Sequence, residues 1–290
     1  MFIEMRILYR INHEIIEFYS LIKRIWCFFR RKKVVHFINN CYTRNAGDKN
    51  ASPRLYFKDD SSLKKITIIS HDMYILKNYS IFKDDIVILG GGGLIDCIDL
   101  WNNRINCILK KSRNVVYWGG GFNKHNDRNI NTKVDISRFA LFGVRDKIDG
   151  YRWVPCASCM NSLLRKKYTK KREIGVVFHR EFTKEEFFKF DYINNYSNIE
   201  DIISFIGESD VIFTSSYHAM YWATLMNKKV ILIDSFSNKF ENFPYKAVIY
   251  EGDIDAAIKS AKNYPNAMQD SIDATMDFFQ EIKSKFFLKD

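Results

Sequence analysis

Short apolar, β-prone runs that end at glycine or polar corners and alternate with helix-length segments constrain this chain more than any other feature. From residue 34 onward such runs occupy 34–38, 66–69, 86–89, 115–118 and 140–144, with helix-length segments between them, including 94–110. Runs apolar on both sides and separated by helices predict a parallel sheet covered on its two faces. The basic stretch 165–172 holds almost nothing that can be buried and marks a boundary. The rhythm then restarts, with strands expected at 174–178, 211–214, 230–233 and 247–250 and helices near 199–207, 217–226 and 254–262. A long amphipathic helix over 268–287 closes the sequence and can pack back across a domain. The expected fold is α/β: two Rossmann-like domains with a cleft between them, over 34–165 and 166–290, preceded by a helix over 1–33.

The corners carry the chemistry. Thr214-Ser215-Ser216-Tyr217-His218 places a histidine beyond the end of one strand and at the start of a helix. Ligands of open α/β sheets sit there, and a histidine there exchanges protons near neutral pH with a bound anion. Three further corners bear glycine: Asn45-Ala46-Gly47-Asp48, Gly90-Gly91-Gly92-Gly93 and Gly119-Gly120-Gly121. Glycines after a strand let the backbone approach a phosphate or carboxylate, although each cluster alone is equally a tight turn. None reads GxGxxG with an acidic residue at dinucleotide spacing, and none ends in Gly-Lys-Ser/Thr. A dinucleotide site and a P-loop are therefore disfavoured.

Composition narrows the partners. The 290 residues carry 45 basic and 34 acidic side chains, a net charge of +11, which points to anionic partners or to a lysine-rich solvated surface. Six cysteines show no regular framework, and most lie in apolar runs, as in a reduced chain. The lone CxxC at Cys156–Cys159 has no second pair, so it reads as a packed turn rather than a zinc site. Within residues 1–33, bulky apolar residues (Phe2, Ile3, Ile7, Leu8, Ile11, Ile15, Phe18, Tyr19, Ile22, Trp26, Phe29) recur at helical spacing among eight Lys/Arg and three Glu. Two readings fit. One is a basic amphipathic helix on an anionic membrane surface; the other, favoured here, is a helix packed on its own domain, its basic run closing the C-terminal end. No signal-peptide pattern and no uncharged membrane-spanning stretch is present, so a cytoplasmic chain is expected, with peripheral membrane contact as the alternative.

Taken in order, the corners resemble the polysaccharide pyruvyl transferase family from about residue 45 to 239. The matching pieces are N-x-G-D at Asn45–Asp48, the strand and glycines ending at Gly91, Gly92 and Gly93, the corner around Gly120, Val144-Arg145-Asp146, the His218 corner and Lys239. The resemblance implies a GT-B-like fold and transfer of the enolpyruvyl unit of phosphoenolpyruvate onto two hydroxyls of a saccharide, often lipid-linked, in surface polysaccharide synthesis. Phosphoenolpyruvate is then a donor substrate, and no cofactor or metal is called for. The resemblance makes His218 an acid or base and Asp48 an orienting group whose alternative is a turn cap. Arg145 becomes a planar fork for an anionic group, its alternative being a surface salt bridge to Asp146 or Asp149, and Lys239 a point charge. Asn45, Gly47, the glycine corners and Ser216 complete the binding set. The sequence departs from the family at Ser216-Tyr217-His218, where many members have Arg-Leu-His, and at Val154–Cys159, where an Asp-Pro-type pocket is altered. A GT-B glycosyltransferase using a nucleotide sugar is the runner-up. A nucleic-acid binder is disfavoured, because the aromatic residues, 16% of the chain, lie mostly in apolar runs rather than among exposed basic residues.

Overall fold

The computed structural model describes residues 2–74, 76–78, 80–124, 132–235 and 237–288, with side chains in the first helix from residue 14 onward. Expectations for the side chains of Phe2, Ile3, Ile7, Leu8 and Ile11, and for Phe236, lie outside the described residues.

Helix α1 (Phe2–Phe29) leads into β1 (Val34–Asn39), the short helices α2 (Ala46–Asn50) and α3 (Arg54–Phe57), β2 (Thr67–Asp72) and β3 (Ile86–Gly90). Then follow α4 (Asp99–Lys111), β4 (Asn114–Gly120), β5 (Leu141–Val144) and β6 (Arg152–Trp153). These strands form one parallel sheet in the order β2-β1-β3-β4-β5-β6. The second half contains β7 (Arg172–Phe178), β8 (Tyr192–Asn194), α5 (Ile199–Gly207), β9 (Ser209–Thr214), α6 (Tyr217–Leu225), β10 (Lys229–Leu232), β11 (Val248–Ile249), α7 (Ile254–Ser260) and α8 (Ala267–Ile282). Its sheet, also parallel, runs β11-β10-β9-β7-β8. Strands β1 and β3 are buried at every position and β4 at all but its first, which is why they read as unbroken apolar runs.

The structure departs from the sequence reading at two short strands, one helix start and the basic stretch. β6 and β8 have two and three residues and are largely exposed or half-buried, too short for a periodic signal. The helix expected from residue 94 begins at Asp99, because Ile95 first pairs alongside Phe122 and extends the strand layer. Helix α8 packs back across to the first sheet, as the sequence allowed. Phe278, Phe279 and Ile282 share a core with Val35, Phe37, Ile88 and Trp118, and the Phe279 ring stacks on Trp118 at 5.7 Å. The basic stretch is also not wholly solvated, since Tyr168 packs against Gly207 and donates to the Leu163 carbonyl.

Helix α1 is packed, as favoured, but by the unexpected face. Its buried residues are Glu17, Ser20, Arg24 and Cys27, whose spacing places them on one side of the helix. Glu17 meets His71 Nδ1 at 2.9 Å, His71 Nε2 meets His36 Nδ1 at 2.9 Å, and His36 Nε2 meets Asp85 at 3.0 Å. Arg24 closes this chain by donating to both Asp85 oxygens. A hydrogen-bonded network thus begins and ends on the same helix and crosses two strands.

Candidate active site

Both sheets share one topology. Counted from its own first strand, each runs 2-1-3-4-5, with β6 added beyond the first. In that order the chain reverses direction across the sheet between strands 1 and 3, and the loops leaving those two strands diverge to open a crevice at their carboxyl ends. The reversal falls between β1 and β3 in one half and between β7 and β9 in the other. A single cavity of about 230 Å³ is lined from both crevices. Asn40, Thr43, Asn45 and Asp48 reach it from the loop after β1, and Gly92 and Gly93 from the loop after β3. His179 and Glu181 come from the end of β7, and Ser216, Tyr217 and His218 from the end of β9. Arg145 follows β5, Asn123 follows β4 and Lys239 follows β10.

His218 stands in the first turn of α6, a helix buried at all nine positions. Its position depends on the opposite half: a methyl group on Gly47 would come within 2.1 Å of His218 Nδ1. Gly47 is therefore a seat for the imidazole rather than part of the cavity wall. Cys156 Sγ lies 3.7 Å from His218 Nε2, and Tyr221 and Trp222 of α6 bond to Cys156 O and Ser158 Oγ at 3.0 Å. The CxxC turn thus packs against the histidine helix. Asn45 caps α2 by accepting from Gly47 N at 2.9 Å. This overturns the cap reading of Asp48, whose side chain is left to the cavity with Asn40 Nδ2 as a distant donor at 3.4 Å.

Arg145 is buried, which overturns the surface salt-bridge reading, and its guanidinium lies 3.8 Å above the Tyr217 ring. Gly121 makes room for it, since a methyl there would meet Arg145 Nε at 2.4 Å. That nitrogen has no hydrogen-bond partner among the described residues. Lys239 sits in a short turn on the other side. The loop bearing Lys239 is tied to the loop after β4, where Ser237 Oγ donates to Asn123 and Lys124 N to Asn238, and to the loop bearing Arg145, where Lys147 N donates to Asn242 O.

The electrostatics are unbalanced. Burial, then Arg145, bring Lys239 down to about 8, although Asp48 opposes the shift. Burial, then Arg145 and Lys239, hold His218 well below the usual imidazole range, so it rests neutral. Asp48 is raised by burial despite both cations. Three neighbouring groups are each pushed towards the uncharged form, a pattern concentrated at functional sites.

The structure therefore brings together His218, Asp48, Asn45, Gly92, Gly93, Arg145, Ser216 and Lys239. Gly47, Gly91 and Gly120 are not on the wall. Gly91 abuts Ala51 and Gly120 abuts the Tyr117 ring. Sequence reasoning missed His179, Glu181, Asn123, Tyr196 and the contact of Cys156 with His218. His179 follows β7 directly, the same strand-end rule that singled out His218, so its signal was present. Asn123 and Tyr196 carry no local signal.

Residues 18–238 match the family described as polysaccharide pyruvyl transferase. The match spans more than half of the chain, and the chain belongs to that family. Among solved structures, a functionally uncharacterized protein from Klebsiella pneumoniae is similar over 81% of this chain and 97% of its own, at 18% identity and a TM-score of 0.49. No curated protein matches the chain.

Proposed function

We propose that this member of the polysaccharide pyruvyl transferase family moves the enolpyruvyl unit of phosphoenolpyruvate onto two hydroxyls of a saccharide, releasing phosphate and leaving a cyclic pyruvate ketal. The observation that carries the reading is one small cavity holding two buried cations, Arg145 and Lys239, beside a neutral His218. A donor with both a carboxylate and a phosphate needs two such cations. Arg145 offers a planar fork for one of these groups and Lys239 a point charge for the other. Ser216 and the first amides of α6 add donors without charge. A cavity of about 230 Å³ suits a compact donor better than a nucleotide sugar, since sites for drug-sized ligands start near ~300 Å³.

The donor itself prepares the histidine. Burial and then the two cations hold the imidazole neutral; the donor's negative charges cancel the cations' share, so His218 gains proton affinity when the donor binds. Protonated His218 delivers its proton to the methylene carbon, C2 becomes electrophilic, and a sugar hydroxyl attacks C2. The imidazole takes that hydroxyl's proton. The C2–O bond to phosphate breaks, the second hydroxyl closes the ring, and its proton leaves with the phosphate. Asp48, on the facing wall, orients an acceptor hydroxyl.

The test is phosphate release from phosphoenolpyruvate in the presence of a saccharide or lipid-extract acceptor. Release is expected to require acceptor and to fall by roughly 10²–10⁴-fold in His218→Ala. Acceptor-independent release, or full activity in that variant, would overturn the assignment. Nucleotide release from a panel of nucleotide sugars would assign the cavity to glycosyl transfer instead.

A further inference from the structure

Helix α1 presents to solvent the surface that a packed helix normally hides. Ile15, Phe18, Tyr19, Ile22, Trp26 and Phe29 are each between 46% and 79% exposed. Single exposed apolar residues are ordinary, but a contiguous helical stripe of this size marks an interaction face. The stripe is not left out by loose packing, because the opposite face is fixed by the Glu17–His71–His36–Asp85–Arg24 chain. Cys27 and Lys23 anchor the same side to Thr67 Oγ1 and the Ile68 carbonyl of β2.

The charge around the stripe identifies its partner. Between residues 15 and 33 the one acidic side chain is Glu17, and it is buried. Arg30, Arg31, Lys32 and Lys33 are all exposed at the end of the stripe. Arg30 and Lys32 flank the Trp26 ring at 4.6 and 4.9 Å, which sets cationic groups at the level of the indole. Arg31 turns the chain in the left-handed region, at φ 50°, where glycine is usual. Its amide donates to Phe28 O, and that of Lys32 to Cys27 O. Beside this turn lies a hollow of about 450 Å³ edged by Arg31, Lys32, Lys33 and Lys285. The two carboxylates on its wall are engaged, Asp85 by Arg24 and His36, and Asp84 by Arg113.

We propose that the exposed face of α1 docks on an anionic lipid bilayer, its aromatic and aliphatic stripe entering the headgroup boundary and the 30–33 turn engaging lipid phosphate. Tyr and Trp with one apolar body and one polar tip settle at that depth, and clustered Lys/Arg add attraction to the acidic surface. No helix among the described residues is long and apolar enough to cross a membrane, so α1 lies on the surface. A second copy of the chain is a weaker occupant, because pairing two such faces brings two tetrabasic turns onto one interface.

Co-sedimentation of the full chain with vesicles of phosphatidylcholine, with and without phosphatidylglycerol, tests the proposal. Binding is expected only with phosphatidylglycerol present and should weaken as salt rises. Phe18→Ser/Ile22→Ser/Trp26→Ser and, separately, Arg30→Gln/Arg31→Gln/Lys32→Gln/Lys33→Gln should each lower partitioning by about tenfold or more. Circular dichroism and thermal midpoints check that both variants keep the fold, as expected for exposed positions. Equal partitioning of the parent and both variants would overturn the proposal. So would a concentration-dependent dimer, seen by light scattering without vesicle binding and dissolved by the triple substitution. The assay uses neither donor nor acceptor, and His218→Ala should bind vesicles normally, so it stands or falls apart from the catalytic reading.

Discussion

The first half of the molecule takes part in two buried charge clusters, and they are built on opposite principles. Around α1, each charged group meets a complementary one. Burial alone would raise Asp85, but hydrogen bonds from His36, Arg24 and the Phe82 amide bring it below the usual carboxylate range. His36, lowered by burial to about 4, is neutral and passes one hydrogen bond to Asp85 while accepting one from His71. At the cavity, by contrast, Arg145 and Lys239 repel each other, and Asp48 is raised rather than lowered. A network of paired charges fixes where an element sits, whereas like charges held side by side hold free energy that an incoming anion can release. Buried charge by itself therefore does not mark a functional site; its imbalance does.

The same type of substitution should then act with opposite sign in the two clusters. Arg24→Met leaves Asp85 buried with one partner fewer and is expected to lower stability by about 3–5 kcal/mol in urea unfolding. An unchanged midpoint would mean that the α1 network is not closed. Lys239→Met removes a cation whose folded environment disfavours its charge. It should raise stability by about 1–3 kcal/mol while weakening phosphoenolpyruvate binding by roughly 10–100-fold. Calorimetric titration with phosphoenolpyruvate reads the affinity; a destabilised variant with intact affinity would reverse the comparison.

A further effect is in pH. His36 has a folded pKa of about 4 and an ordinary value of 6.5, so between these the unfolded chain binds more protons. The His36 contribution to stability should be level above pH 6.5 and be lost as pH drops towards about 4, by at most about 1.4 kcal/mol per pH unit. Loss of the Asp85 pairing follows at lower pH, as that carboxylate protonates. A urea midpoint that stays constant from pH 6.5 to 4.5 would argue against a neutral, buried His36.

Much of the fold was legible because β1, β3, β4 and β9 are covered on both faces and so announce themselves as continuous apolar runs. His218 was legible for a related reason, since it sits just beyond such a run, and Asp48 and Arg145 were legible through the ordered corners that resemble the family. His179 obeyed the same rule and was passed over. Asn123 follows β4 and is bonded by Ser237, 114 positions away, and no local pattern encodes that pairing. The face of α1 was misjudged on ordinary grounds. Its apolar residues recur at helical spacing, and only the histidines of β1 and β2 reveal why Glu17 and Arg24 turn inward.

The sequence by itself determined the strands, the corners that end them and the chemistry those corners carry, because local side-chain pattern sets which backbone groups can be buried. Tertiary structure alone decided the shared strand order, the return of α8 to the first sheet, the meeting of both crevices in one cavity and the outward face of α1. Each of these depends on partners distant along the chain, whose free energy appears only once the contact is made.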